Sequence, residues 1–230
     1  PSFESGNTGF SSDYTFTPIP AGGVATGTNV VNAGEYRIVQ NLVQAHNAWA
    51  QQGSLSAQSG TNYYVANGSS STNDSPWIQT ITPTTGQITT SGSASPLYYR
   101  FEGYIANLYP IAPPQLSFEM MLNNSGSWQA LTTSVAPSSV DTWNLTYSDG
   151  YFTFLPSSIS FRLRNTVSAG TGNDFAVDSL YFGLTTQSPS YPTNPTINGG
   201  VPIVPEPATY GTLGFLALGG FMAIRRYGRR

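Results

Sequence analysis

The chain has 230 residues, of which 13% are aromatic and 8% charged. Its 24 glycines and 17 prolines exclude a helical bundle, and its aromatic content excludes a disordered chain. Cysteine is absent and His46 is the sole histidine, which removes disulfides, thiolate chemistry and His-clustered metal centres. All eight basic residues are arginine: residues 1–203 carry four against ten acids, a formal −6, and residues 204–230 carry four against one, a formal +3. A body this acidic repels phosphate backbones, so nucleic acid is excluded as a partner.

In chain order, short runs of β-branched and aromatic residues predict strands at Glu35–Val43, Trp77–Ile81, Leu97–Ile105, Trp143–Thr146, Ser158–Arg164 and Phe175–Phe182. Leu42–Gln51, Ala-rich and carrying His46 and Trp49, reads as a loop or a single helical turn. Turn formers separate the strands at Gly68–Ser75, Asn123–Gly126 and Ser148–Gly150. The pattern predicts an all-β, two-sheet antiparallel sandwich over residues 1–184, with one barrel-like sheet as the competing architecture.

Residues 185–204 follow as a Pro/Thr/Ser/Asn-rich linker with prolines at 189, 192 and 195, which favour an extended spacer. In residues 205–230, Tyr210–Ile224 is free of charge and ends at Arg225-Arg226. As a helix it would span roughly 22 Å at about 1.5 Å per residue. With Ala208-Thr209 and snorkelling arginines it predicts one C-terminal transmembrane helix. The cluster Arg225, Arg226, Arg229 and Arg230 marks its cytoplasmic end.

Val204, Pro205, Glu206 and Pro207, then the apolar helix, then the terminal arginines together resemble the PEP-CTERM sorting signal. The resemblance implies an exported bacterial envelope or extracellular-matrix protein, held for a time in the inner membrane. It implies an exosortase-type membrane peptidase as the partner that reads the motif and removes the tail. It also implies a chain that begins after signal-peptide cleavage.

Within the body, Pro1-Ser-Phe-Glu4 and Asn173-Asp-Phe-Ala-Val-Asp178-Ser-Leu-Tyr-Phe182 resemble the opening and closing strands of jelly-roll modules of the carbohydrate-binding, galactose-binding-like type. In that family the first and last strands share a structural Ca²⁺. Carried over, the resemblance points to the carboxylates of Glu4 and Asp178, completed by backbone carbonyls. The alternative is an exposed terminal Glu4 and a turn-facing Asp178.

Catalysis finds little support in the residues. A glycosidase needs two carboxylates facing across a sugar, whereas Asp174 and Asp178 lie on one run and point to one face. His46 has no Gly-x-Ser-x-Gly partner, and no phosphate loop, dinucleotide fingerprint or EF-hand is present. The chain therefore reads as a non-enzyme.

For sugar binding the expected rings are Trp49, Tyr63, Tyr64 and Trp128, beside Gly- and Ser-rich stretches. Trp77 and Trp143 are expected in the core. Adjacent tyrosines in a strand face opposite ways, so one of Tyr63 and Tyr64 is expected to leave the core. Two functions remain open: a polysaccharide-binding module, preferred, and a structural matrix or filament subunit that presents an edge strand or apolar patch.

Overall fold

The computed structural model describes residues 3–83, 97–124, 126–135, 139–168 and 172–185. Residues 186–204 of the expected linker, and the whole of 205–230 with the expected sorting motif, transmembrane helix and arginine cluster, lie outside the described residues.

Among the described residues ten strands form two sheets: β1 (Thr15–Phe16), β2 (Glu35–Val39), β3 (Tyr63–Asn67), β4 (Trp77–Ile81), β5 (Leu97–Asn107), β6 (Gln115–Leu122), β7 (Gln129–Val135), β8 (Asn144–Phe152), β9 (Ile159–Asn165) and β10 (Phe175–Thr185). The larger sheet runs β1-β2-β3-β10-β5-β8 and the smaller β4-β9-β6-β7. Every pairing is antiparallel except the two-residue β1–β2 contact. From β3 onward the chain crosses between sheets at each connection except β6–β7, the jelly-roll-like winding of a sandwich. The β6–β7 turn carries Asn123 and Asn124 at φ 57° and 48°, left-handed values that asparagine tolerates.

The inner faces meet in one core that includes Tyr36, Tyr64, Trp77, Phe101, Phe118, Phe161 and Phe182. A second apolar cluster lies outside the larger sheet: Val31, Leu42, Ala45, Trp49 and Leu55 pack onto Val39, Tyr63, Val65, Ala106 and Ala176. Its cover is the segment 41–62, which holds a 3-10 turn at Leu42–Gln44 and the single helical turn α1 (Asn47–Ala50). His46 accepts the Ala48 N–H at its start. Arg37, buried beneath the cover, donates to the carbonyls of Thr17, Asn29 and Gln44.

Three expectations change. β2 stops at Val39, where the chain turns into the cover. Ser148–Gly150 is not a turn but the middle of β8, because Gly150 makes room beside Tyr99, whose hydroxyl would clash with a Cβ there. β10 contains a bulge between Asp178 and Tyr181, with Ser179 at φ 51°. The extra residue resets the alternation: Ala176 and Asp178 face outward before it, whereas Leu180 faces the core and Tyr181 faces out after it.

Candidate functional site

The uncovered half of the larger sheet is built from β10, β5 and β8. Along β5, Leu97, Tyr99, Phe101 and Ile105 enter the core, so Tyr98, Arg100, Glu102 and Tyr104 face out. On β8 their register partners are Tyr151, Asp149, Tyr147 and Leu145; on β10 Tyr181 lies opposite Glu102 and Gly183 opposite Arg100. Five tyrosines, 98, 104, 147, 151 and 181, thus share one face around three charged groups. From Tyr98 to Tyr104 the face runs about 20 Å at ~3.3 Å per residue.

Tyr147 is 46% exposed and Tyr151 is 62% exposed, so these rings offer free surface. The Tyr98 and Tyr151 rings meet at 6.2 Å, and the Arg100 guanidinium lies over the Tyr147 ring at 4.2 Å. Arg100 Nε donates to Glu102 at 2.6 Å, and its NH1 reaches Asp149 at 3.7 Å. These contacts hold the centre of the face rigid between two aromatic flanks. A Cβ at Gly183 would stand 2.6 Å from the Tyr181 hydroxyl, so glycine there lets that ring lie over the strand. Burial pushes the Tyr181 phenol up, and Glu102 adds to the shift while Arg100 opposes it. The phenol therefore stays a neutral hydrogen-bonding group.

The rings singled out from sequence lie elsewhere. Trp49 is 1% exposed, with its indole N–H donating to Asp174 Oδ2 at 2.9 Å. Tyr63 and Tyr64 are both buried: Tyr64 enters the main core and donates to the Pro76 carbonyl, whereas Tyr63 enters the second cluster and donates to the Leu55 carbonyl. The tyrosines do face opposite ways, but the outward one is covered by 41–62. None of these three presents a ring to a ligand. Trp128 is half-buried on the smaller sheet, with Arg162 over its ring at 4.4 Å. Trp77 is in the core as expected, and Trp143 is half-buried against the second cluster, donating to the Ser56 carbonyl. The five tyrosines were not singled out from sequence. Their signal is the polar half of the β5 alternation, Tyr98-x-Arg100-x-Glu102-x-Tyr104.

Glu4 and Asp178 converge on one segment. Glu4 Oε1 accepts the Thr61 and Asn62 N–H groups, each at 2.8 Å. Asp178 Oδ2 accepts those of Gln58 and Ser59 at 2.8 and 3.1 Å, and Oδ1 that of Ser179 at 2.6 Å. The chain start and β10 are therefore tied together through Gln58–Asn62. Burial pushes Asp178 up to about 6, against the pull of these amides. Among the described residues no three or more His, Asp or Glu side chains gather as a metal cluster.

No protein-family model and no curated protein matches the chain. Solved structures do. A CBM22-1 xylan-binding domain from Paenibacillus barcinonensis Xyn10C aligns at TM-score 0.41 and 14% identity, over 56% of this chain and 75% of that one. The CBM22-1-CBM22-2 tandem of the same protein aligns at 0.47 and 15%, over 84% of this chain, which spans 46% of the tandem. A family 35 carbohydrate binding module from an environmental isolate aligns at 0.36 and 14%, over 64% and 82%. These neighbours are carbohydrate-binding modules.

Proposed function

We propose that the domain is a non-catalytic carbohydrate-binding module that receives a neutral glycan across the outer face of β10, β5 and β8. The observation that carries this reading is the open row of tyrosines around the Arg100 network. Phenol rings stack on the C–H faces of sugars and supply hydroxyls for their polar edges. One arginine against Glu102 and Asp149 leaves the face formally negative, which favours uncharged chains over acidic ones. Both carboxylates ion-pair with Arg100 and hold that side chain in place at the centre of the face. Affinity electrophoresis of the protein and its Tyr147→Ala/Tyr151→Ala variant through neutral polysaccharides tests the proposal. Retention that falls at least tenfold in the variant supports it; equal migration with and without every polysaccharide overturns it.

Calcium belongs to the same reading as a structural ion. Glu4 and Asp178 supply oxygen ligands of the right class and already reach one five-residue segment. The five amide N–H groups that the two carboxylates accept leave further lone pairs for an ion, whose shell backbone carbonyls would complete. The ion would fasten the chain start to β10 and take no part in sugar chemistry. A melting temperature that rises with millimolar calcium and falls with EDTA supports this, and identical melts with both argue against it.

Export, envelope or matrix localisation and release by an exosortase-type peptidase complete the proposal, resting on Val204–Pro207, the apolar stretch and the terminal arginines. Replacing Glu206 and the flanking prolines by alanine in a host with such a peptidase should leave the uncut chain in the membrane fraction.

A second reading, a structural matrix subunit, is favoured by one observation. Among the described residues β8 is a nine-residue edge strand without lysine or proline, beside exposed Tyr151, Phe154 and Leu155. Assembly that grows with protein concentration, without glycan, would support it.

A further inference from the structure

The outer face of the smaller sheet carries a second polar constellation, separate from the tyrosines. Along β9, Ile159, Phe161 and Leu163 enter the core, so Ser160, Arg162 and Arg164 face out; along β6, Leu116, Phe118 and Met120 enter it, so Ser117 and Glu119 face out. Arg162 and Glu119 are register partners. Arg162 Nε and NH2 reach Glu119 Oε2 at 2.7 and 2.5 Å, and Arg164 Nε reaches Oε1 at 2.6 Å. Arg164 NH1 donates to the Thr72 carbonyl at 3.0 Å, and Arg162 NH1 to the Ser75 hydroxyl at 3.4 Å.

Glu119, 3% exposed, has both oxygens committed to the arginines. Burial pushes its carboxyl up, but the hydrogen bonds and charges of Arg164 and Arg162 outweigh this and hold it below the usual range. The trio therefore carries a net positive charge. The two guanidiniums also bear more N–H groups than the acceptors found for them among the described residues. At the loop end, Asp13 and Asp74 are turned to the Ser75 N–H and the Ser69 hydroxyl.

Two further observations mark a ligand surface. The Arg162 guanidinium lies over the half-buried Trp128 ring at 4.4 Å, so the indole covers one face of that guanidinium and holds its donors in place. Ser117, 1% exposed and on this same face of β6, has a hydroxyl without a hydrogen-bond partner. Thr80 and Ser160 hydroxyls, 2.8 Å apart, add a polar edge.

We propose that this face binds an acidic sugar, its uronate carboxylate taking the free N–H groups of Arg162 and Arg164, with Trp128 holding Arg162 in place. A planar guanidinium matches a carboxylate in a bidentate pair, which a neutral hydroxyl cannot reproduce. The domain then has two glycan faces on different sheets, one for neutral chains and one for acidic chains, and can bridge them. This inference does not rest on the tyrosine face.

The test is retention of the 230-residue protein on polygalacturonate and on neutral polysaccharides, between about 50 and 500 mM salt. The expected result is polygalacturonate retention that weakens at least tenfold with salt and at least fivefold in Arg164→Gln or Trp128→Ala, with neutral-glycan retention unchanged in Arg164→Gln. Arg164→Lys, which keeps the charge, should recover part of the loss, and unaltered circular dichroism separates lost binding from lost fold. Free glucuronate should compete where equimolar inorganic phosphate or sulfate does not. Absence of salt-sensitive retention, full retention by a folded Arg164→Gln variant, or equal competition by phosphate overturns the proposal. Polygalacturonate retention without neutral-glycan retention would refute the tyrosine face and leave this one standing.

Discussion

Tyr63 and Tyr151 lie on the same side of the same sheet, yet one is 0% and the other 62% exposed. Over β2, β3 and the first half of β10 the outer face is roofed by residues 41–62, and its tyrosine has become core. Over β5, β8 and the second half of β10 no described segment covers the face, and Tyr147 and Tyr151 are exposed there. The bulge at Ser179 marks the change within β10, Asp178 serving the roof and Tyr181 the open face. Alternation assigns a residue to a face, but the cover supplied by another part of the chain decides whether that face is wet.

The sharpest break in this comparison comes from Trp49→Ala. It removes a buried indole from the roof together with the N–H that Asp174 Oδ2 accepts, at a cost of about 3–5 kcal/mol. Urea unfolding should show the loss while the folded variant keeps neutral-glycan affinity; loss of affinity in that folded fraction would mean that the two halves are not independent. Gly150→Ala strikes beneath the open half. Its Cβ would press on Tyr99, destabilising by about 1–3 kcal/mol in the same assay.

The roof is also the pH-sensitive half. Burial pushes both Asp174 and Asp178 up to about 6. A folded-state value raised above the unfolded one gives stability that is full below about pH 4 and lost as pH rises through about 6. The melting temperature should therefore fall between those limits, and Asp174→Asn should flatten the decline. Calcium, which favours the ionised Asp178, should reduce the decline as well. The smallest effect on stability belongs to the open face: Tyr151→Ala should shift unfolding by no more than about 0.5 kcal/mol. It should nevertheless weaken neutral-glycan binding about tenfold by calorimetry, or ~1.4 kcal/mol.

Much of the fold was legible in the sequence because strands with one buried face carry a period of two. Trp77–Ile81 is β4, and the runs within β5, β9 and β10 were found with ends displaced by a few residues. β6 and β7 were not singled out: β6 is nearly continuous in its buried residues, and β7 is a run of small and polar ones. Ser148-Asp-Gly150 has the composition of a turn, and only Tyr99 on the neighbouring strand explains a glycine inside β8. The sequence names Glu4 and Asp178 only as candidate calcium ligands; nothing local in it records that both accept N–H groups of Gln58–Asn62.

The sequence by itself determined the all-β class, the acidic lysine-free body and the separate composition of the tail, since these depend on residue types and local periodicity. Tertiary structure decided which aromatic rings a ligand can reach. Trp49, Tyr63 and Tyr64 sit in Gly- and Ser-rich surroundings and are buried because the roof folds back over their sheet, whereas Tyr147 and Tyr151 remain open because no described segment does so over theirs. Exposure is a property of pairs of segments distant in the chain, and no local pattern records it.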